Sequence, residues 1–451
     1  MRLGMSCLGS DNQAWTKAAD ESGCYMNRAF IALAVTLAAQ IATTLALNAP
    51  AVLAPIAAPA LGLPAERIGW FTGLAYLSAM FTGLIASHRI ARIGAVKLTQ
   101  WAMLASAAGL MLVATHSVWL IAPAALALGL GYGCTNPAAA DILTRHTPPE
   151  RRGLFFSIKQ TGVPLGVGFA GLSLSVLLSW FSWNLSSLLL TIPCLAVAIF
   201  SQPSRRHLEA LGKPGETAKA EAAAAFDKPP SLSSRLRRTM AELQTSMVGP
   251  LRLVFGNVHL KRLSLCSLAY SSTQICFLTF LVSFFHLELK QTIAFAALVL
   301  AGSQVVSSVG RVFWGYVSDR WIRPDLLLGM LGIGMAICML ALSRLNAQSS
   351  ELSMIMLAMA CSATVVGWNG VYFAELSQRA PPGLMAQANG GTQFVTFLGG
   401  MLGPVLFGMG VSLGESYSLP LACCSLLPMT AGLSLWRNHR IESAAKRSRA
   451  Q

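Results

Sequence analysis

Apolar runs of about 20 residues, broken by short polar segments, set the pattern of the whole chain. Two of them, 29–53 and 186–200, contain no charged residue. A helix needs about 20 apolar residues to cross the hydrocarbon core of a bilayer. The runs therefore predict membrane-spanning helices rather than the core helices of a soluble protein.

Twelve runs reach this length when Gly, Ser and Thr are tolerated, six in each half of the chain. The predicted spans are 29–54, 67–87, 95–115, 117–142, 153–179 and 183–201, followed by 260–286, 291–317, 324–344, 351–375, 384–412 and 416–437. They divide the chain into an N-terminal tail (1–28), a six-helix bundle (29–201), a central linker (202–258), a second six-helix bundle (259–437) and a basic tail (438–451). In the linker, residues 232–255 alternate basic and apolar positions, which predicts an amphipathic helix on the membrane surface.

The two halves resemble each other at polar and proline positions. An offset of about 233 residues, the spacing expected of a duplicated bundle, pairs equivalent points of spans 4, 5, 10 and 11. The pairs are Asn136 with Asn369, Thr144 with Ser377, Pro148-Pro149 with Pro381-Pro382, Gln160 with Gln393 and, at a nearby shift, Asp141 with Glu375. Duplicated six-helix halves predict a substrate site at their interface, near the middle of the bilayer.

Composition agrees with a membrane protein, since 54% of the residues are hydrophobic and 11% are charged. The net charge of +15 reflects basic residues between the runs. With a cytoplasmic N-terminus, only Arg67, Lys290 and Arg344 fall on the outer side, which is the positive-inside pattern. This pattern predicts an inner (plasma) membrane protein with both termini in the cytoplasm, and it argues against a nucleic-acid partner.

Catalytic and metal-binding signatures are absent from the sequence. The 10 cysteines have no C-x-x-C spacing, the 7 histidines are scattered, and neither H-E-x-x-H nor G-x-S-x-G occurs. We therefore predict no enzyme activity, no metal site and no cofactor. The expected partners are a small-molecule substrate and the lipid bilayer, and the expected state is a monomer.

The loop after span 8 has the most specific local sequence, Gly315-Tyr316-Val317-Ser318-Asp319-Arg320. It resembles the G-x-x-x-D-R element that transporters of the major facilitator superfamily carry between helices 2 and 3 and again between helices 8 and 9. In the first half, Arg92 and Gly94 fit the element, but Ala91 replaces its aspartate. The resemblance covers nearly all of the chain after Arg28. It implies an all-α integral membrane fold of 12 transmembrane helices in two pseudo-symmetric six-helix bundles, and secondary active transport of a small solute by alternating access.

In that family, the loop element is implied to pair with acidic residues at neighbouring helix ends and to hold the cytoplasmic side closed. The residues here with suitable charge are Arg92, Asp141, Arg311, Asp319, Arg320 and Glu375. We expect Asp141 to meet Arg92, and Glu375 to meet Arg320 or Arg311. The alternative is that the arginines only maintain topology and the acids are solvated.

Polar side chains within the spans are the predicted substrate contacts, because in lipid they are costly unless they face the bundle interior or a water-filled path. They are Gln40, Asn136, Lys159, Gln160, Gln274, Gln304, Asn369 and Gln393. In the family that the chain resembles, spans 1, 4, 7 and 10 line the cavity. The alternative role for the uncharged residues is hydrogen bonding between helices.

Lys159 is interpreted as the only basic residue well inside a span, about 10 Å beyond Arg152. A buried ammonium without a nearby acid favours an organic anion such as a carboxylate as substrate. The alternative is that the Lys159 side chain reaches back to the membrane surface.

Two departures from the family bear on mechanism: the first weakens an antiporter assignment, and the second leaves uniport, exchange and an unconventional proton path open. The G-x-x-x-G-P motif of its antiporters belongs on helix 5, whereas the better match here is Gly399 to Pro404 on span 11. Ala125 stands where proton-linked members often carry an arginine. A drug or metabolite efflux antiporter of the same fold and a non-transporting membrane sensor are the alternative functions.

Overall fold

A computed structural model gives the fold of residues 9–148, 151–209, 248–381 and 384–450. Within these residues, 12 helical segments are long and apolar enough to cross a membrane. Spans 1 to 12 are Arg28–Ala60, Ala65–Ala86, Ala95–Val113, Val118–His146, Arg152–Trp180, Trp183–Arg205, Val258–Glu288, Ile293–Arg320, Pro324–Leu342, Glu351–Arg379, Gln387–Gly414 and Ser418–Arg440. The predicted fold class is confirmed, and each predicted span overlaps its observed counterpart.

Several spans are uninterrupted helices, and others are broken. The helices Gly9–Ala60, Ile68–Ile93, Ala95–Val113, Ile121–His146, Ile293–Arg320, Pro324–Leu342, Met385–Gly414 and Ser418–Ala450 carry spans 1 to 4, 8, 9, 11 and 12. Span 5 consists of Arg152–Gln160 and Gly162–Trp180, span 6 of Trp183–Leu189 and Thr191–Glu209, and span 7 of Val258–Ser283 with a wider π-helical turn at Phe284–Glu288. Span 10 consists of Glu351–Cys361, a π-helical turn at Ser362–Val366, and Asn369–Arg379.

Helix is the form these runs must take in lipid, because each backbone N–H and C=O has to find its partner within the segment. Side chains also help to start some helices. The side chains of Asn257, Thr292 and Ser350 accept hydrogen bonds from backbone N–H groups in the first turns of spans 7, 8 and 10. Such caps satisfy donors that have no partner within the helix.

Spans 1 to 6 pack against one another, as do spans 7 to 12. Two extensive seams join these halves, and spans 1 and 7 also pack against each other. One seam packs span 5 against span 8, and the other packs span 2 against span 11. Small residues allow close approach, since a Cβ at Gly171 would lie 2.6 Å from the carbonyl oxygen of Ala297 and one at Gly73 would lie 2.9 Å from that of Met401.

The seams are unequal along their length. We call the face that carries residue 28, residues 202–209 and 248–258, and residue 440 the linker side, and the opposite face the far side. Three hydrogen bonds join the halves within the described residues: Ser412 to Glu66, Thr279 to Thr72, and Arg311 to Gln160. The first two lie toward the far side and the third lies between the middle and the linker side. Close backbone contacts and two of these hydrogen bonds therefore hold the halves together toward the far side.

The terminal helices extend beyond the membrane spans. The first helix begins at Gly9, ahead of span 1 at Arg28, and the last helix extends through Ala450, past the end of span 12 at Arg440. Residues 248–256 are helical. Most of the amphipathic helix predicted for residues 232–255 lies outside the described residues.

Candidate substrate site between the two halves

The Lys159 side chain lies inside the first half with 3% of its surface exposed. Its Nζ atom donates to Oε1 of Gln40 at 2.6 Å, to Oδ1 of Asn136, and to Oε1 of Gln160 at 3.4 Å. Spans 1, 4 and 5 each contribute to this cluster. The alternative, in which the Lys159 side chain extends back to the membrane surface, is not seen in this structure. Three amide oxygens hold the ammonium inside the first half.

Gln40 is itself held in place by its neighbour on span 1. Its Nε2 donates to Oγ1 of Thr44 at 3.0 Å, which directs Oε1 toward the ammonium. Amide oxygens can satisfy the hydrogen-bonding capacity of Lys159 but not its charge. Among the described residues, Lys159 forms no ion pair.

Arg311 corrects the expectation that Lys159 is the only basic residue well inside a span. It lies nine residues before Arg320 on span 8, about 13 Å along the helix. Its Nε donates to the carbonyl oxygen of Val366 at 3.2 Å, and its Nη1 crosses between the halves to the carbonyl oxygen of Gln160 at 3.2 Å. The predicted contact of Arg311 with Glu375 is therefore wrong for this conformation, since both hydrogen-bond acceptors of Arg311 among the described residues are backbone carbonyls.

Lys159 and Arg311 thus meet at a single residue, Gln160. Lys159 donates to the side-chain Oε1 of Gln160, and Arg311 donates to the backbone carbonyl oxygen of Gln160. One cation comes from each half of the protein. Within the described residues, neither is neutralised by a carboxylate in an ion pair.

An aromatic group also joins the halves. The rings of Tyr76, Tyr132 and Phe397 have centroids 5.8 to 6.1 Å apart, in tilted and edge-on contacts. They belong to spans 2, 4 and 11, and Tyr132 is close enough to Arg311 for the two to interact electrostatically. This aromatic trio supplies an apolar surface on the Arg311 side of the site.

In the second half, predicted residues form a separate amide cluster. Oε1 of Gln274 accepts hydrogen bonds from Nε1 of Trp368 at 2.8 Å and from Nδ2 of Asn369 at 3.3 Å. Asn369 also donates to the carbonyl of Val366, the same oxygen that Arg311 uses. The Gln274 cluster is therefore linked to Arg311 through Val366, the last residue of the π-helical turn in span 10.

Gln304 lies on the seam between spans 5 and 8. Its Nε2 donates to Ser303 and Ser362, while its Oε1 is buried and has no hydrogen-bond partner among the described residues. Gln393 is half-buried on span 11 and joins none of the hydrogen-bonded clusters that the structure describes. The eight predicted contacts therefore separate into the Lys159 cluster, the Gln274 cluster and these two residues.

The residues expected to hold the cytoplasmic side closed, called the latch residues here, lie at the linker side, apart from Arg311. Asp141 pairs with Arg145, one turn later on the same helix, at 2.8 Å. Arg92 lies in the last turn of its helix, and its side chain is outside the described part of the chain. Asp319 and Arg320 are exposed at the end of span 8. The expected contact between Asp141 and Arg92 stays a prediction.

Glu375 has a different partner from the two expected for it. Its Oε1 accepts from Nε of Arg379 at 2.7 Å, and Arg379 also lies 3.8 Å from Asp325. Asp325 in turn contacts Arg323 at 3.3 Å and Nδ1 of His439 at 3.0 Å. These residues connect the linker-side ends of spans 9, 10 and 12. The predicted pairing of Glu375 with Arg320 or Arg311 is therefore wrong for this conformation.

Sequence reasoning missed several of these groups. The spacing of Arg145 four residues after Asp141, repeated by Arg379 after Glu375, is visible in the sequence and indicates helical ion pairs. The position of Arg311 within a predicted span was an available signal as well. The aromatic trio carries no such signal, because Tyr and Phe are common on helices that pack against one another.

The comparisons with known proteins agree with this architecture. The sequence profile of the Major Facilitator Superfamily matches residues 35–404. Two uncharacterized MFS-type transporters of Mycobacterium tuberculosis, from strains CDC 1551 / Oshkosh and ATCC 25618 / H37Rv, are each 23% identical over 401 residues, covering 88% of this chain and 82% of theirs.

Solved structures share the fold at low sequence identity. The crystal structure of a peptide transporter POT in complex with sulfate has a TM-score of 0.68 and 14% identity, covering 89% of this chain and 93% of that one. A bacterial homolog of the human lysosomal transporter Spinster, inward-facing and unoccupied, has a TM-score of 0.66 and 16% identity, covering 91% and 94%. With the profile match over most of its length and its 12 apolar helices, this chain belongs to the Major Facilitator Superfamily and is an MFS-type multi-pass membrane transporter.

Proposed function

We propose that the protein transports a small organic anion, with a carboxylate as its charged group, by alternating access of a site between its two halves. The observation that carries this proposal is the meeting of Lys159 and Arg311 at Gln160. Neither cation has an ion-pair partner within the described residues. An anion would supply the missing charge.

A buried cation is costly unless it is paired, and within a membrane such residues commonly mark substrate pathways. Amide and carbonyl oxygens accept hydrogen bonds from Lys159 and Arg311 while leaving two positive charges uncompensated. A carboxylate suits this site, because the planar guanidinium can bind both of its oxygens.

The aromatic trio favours a substrate with an apolar body. Tyr76, Tyr132 and Phe397 would contact the part of the molecule opposite its carboxylate, as aromatic side chains commonly do in ligand sites. Benzoate combines a carboxylate with a small flat body and is a suitable first probe. Succinate, with two carboxylates and no ring, tests whether charge alone is sufficient.

Alternating access would use the unequal seams. The close contacts between the halves lie toward the far side, so the site would be reached from the linker side in this conformation. The positive-inside pattern assigns the linker side to the cytoplasm of an inner membrane, with both termini there. The complementary state would separate the far-side contacts and bring the linker-side ends together.

The test is uptake of labelled benzoate and succinate by the purified protein in liposomes. We expect saturable uptake of benzoate that is lost in Lys159→Gln and Arg311→Gln. Lys290→Gln is the matched control, because Lys290 is exposed in the loop between spans 7 and 8.

A thermal-shift measurement on the same variants separates binding from transport. Stabilisation by benzoate without uptake would favour the non-transporting sensor over the carrier. Binding and uptake of neither anion, or full uptake by the Lys159→Gln variant, would contradict the proposal.

A further inference from the structure

Pro164 on span 5 leaves the carbonyl oxygen of Gln160 without its usual partner. In an α-helix, the N–H of each residue donates to the carbonyl four residues earlier, and proline has no N–H. Gln160 lies four residues before Pro164. The regular pattern resumes one residue later, where the N–H of Leu165 donates to the carbonyl of Thr161 at 3.1 Å.

The Nη1 atom of Arg311, from the other half, donates a hydrogen bond to this carbonyl oxygen at 3.2 Å. Its second acceptor, the carbonyl of Val366, lies at the end of the π-helical turn in span 10. The guanidinium is therefore held by two backbone oxygens at irregular points of two helices, one in each half. Of the three hydrogen bonds between the halves in the described structure, this one is nearest the linker side.

We propose that Pro164 is a positioning residue that makes the Gln160 carbonyl compete with the substrate for Arg311, so that anion binding breaks this hydrogen bond between the halves. The inference rests on the proposed function, since it takes Arg311 as an anion-binding group. A carboxylate is a stronger acceptor for a guanidinium than a neutral carbonyl. Binding would thus release the halves from each other near the site.

The first consequence concerns the empty protein and needs no ligand. Pro164→Ala restores an N–H that can bond the Gln160 carbonyl, so Arg311 loses its acceptor in the other half. Spin labels at Gly153→Cys and Trp321→Cys report the separation of spans 5 and 8 at the linker side, in a background in which Cys7, Cys24 and the exposed Cys423 are serine. A Cβ at Gly153 meets nothing within 4 Å, and Trp321 is 69% exposed, so both sites accept a label.

We expect Pro164→Ala and Arg311→Gln to broaden the distance distribution in the same way, and benzoate to broaden that of the otherwise unmutated chain. Benzoate should add nothing to the Pro164→Ala distribution. The control is Pro428→Ala, which also removes a proline from inside a span, on span 12. Equal distributions for Pro164→Ala, Pro428→Ala and the unmutated chain would overturn the inference.

The second consequence is a change in affinity that structural damage would not produce. Without the competing carbonyl, Pro164→Ala should bind benzoate about tenfold more tightly, the value of roughly one hydrogen bond to a charged group. A disrupted span would weaken binding instead. Affinity that is equal or weaker in Pro164→Ala would contradict the inference.

These measurements distinguish a failure of the proposed anion transport from a failure of the proposed role of Pro164. If no probe binds the unmutated protein, the proposed function is wrong, while the ligand-free distances still test the hydrogen bond between the halves. If Arg311→Gln abolishes benzoate binding but Pro164→Ala changes neither distance nor affinity, the function stands and the role of Pro164 is wrong.

Discussion

At the linker-side end of span 4, Asp141 pairs with Arg145, and the two side chains are 25% and 37% exposed. At the equivalent end of span 10, Glu375 pairs with Arg379, and the exposed fractions are 7% and 23%. The second pair is also joined to Asp325. The same spacing of acid and arginine therefore yields a solvated pair in one half and a buried network in the other.

The central site has a similar contrast. In the first half, Lys159 is held by side-chain amides from three spans, and in the second half Arg311 is held by backbone carbonyls at helix irregularities. The duplicated halves thus share their helices but use different chemistry to hold a buried cation. Changing matched residues in the two halves tests which of these differences matter for transport and which for stability.

The largest effect is expected from removing the central charges. The double variant Lys159→Gln with Arg311→Gln should lose about 100-fold or more of anion uptake, and each single variant nearly as much, because groups that bind one ligand act as a unit. Its melting temperature should be unchanged or higher, since two uncompensated buried charges are gone. Uptake in liposomes and thermal unfolding in detergent measure the two quantities. A double variant that unfolds more easily than Lys290→Gln would contradict this account.

The charge pairs of the two halves should differ in stability. Glu375→Gln should lower the free energy of unfolding by about 3 kcal/mol, because it leaves the partly buried Arg379 with fewer acids. Asp141→Asn should cost less than about 0.5 kcal/mol, as expected of an exposed pair on one helix. Unfolding of both variants in the same detergent compares them. Equal losses would mean that burial does not distinguish the two pairs.

The far-side seams should control which side is open. Alanine at Gly73 or Gly171 would bring a Cβ to within 2.9 Å of a backbone oxygen across the seam, and relieving this overlap should disfavour the linker-side-open state about tenfold. Shorter distances between labels at positions 153 and 321 would report the shift. Gly414→Ala, whose Cβ would meet nothing within 4 Å, is the control. Unchanged distances in both variants would mean that this packing does not set the state.

The smallest effect is expected at the aromatic trio. Tyr132→Phe keeps the ring contacts with Tyr76 and Phe397 and removes only the hydroxyl near Arg311. We expect the affinity for benzoate to change by about threefold, less than one charge-assisted hydrogen bond. Titration by thermal shift measures it. A loss as large as that of Arg311→Gln would make the hydroxyl, rather than the guanidinium, the main anion contact.

Much of the candidate site could be predicted because polar residues are rare in the spans. Lys159, Gln40, Asn136 and Gln160 were identified individually and lie together in the structure. Their partners could not be assigned, since spans 1, 4 and 5 are far apart in the sequence. The charge of Arg311 and its position on the same span as the loop motif suggested a role in closing the cytoplasmic side. Its distance from Arg320, however, already places it inside span 8.

The sequence alone determined the twelve spans, their division into two related halves and the predicted topology. Lipid requires each long apolar run to satisfy its own backbone as a helix, so these features follow from local composition. Only the tertiary structure decided that Lys159 and Arg311 meet at Gln160, that Glu375 joins Asp325 and Arg379, and that the halves pack closely at the far side. These contacts depend on how helices distant in sequence are packed, and a pattern read along a single span carries no information about the residues of its neighbours.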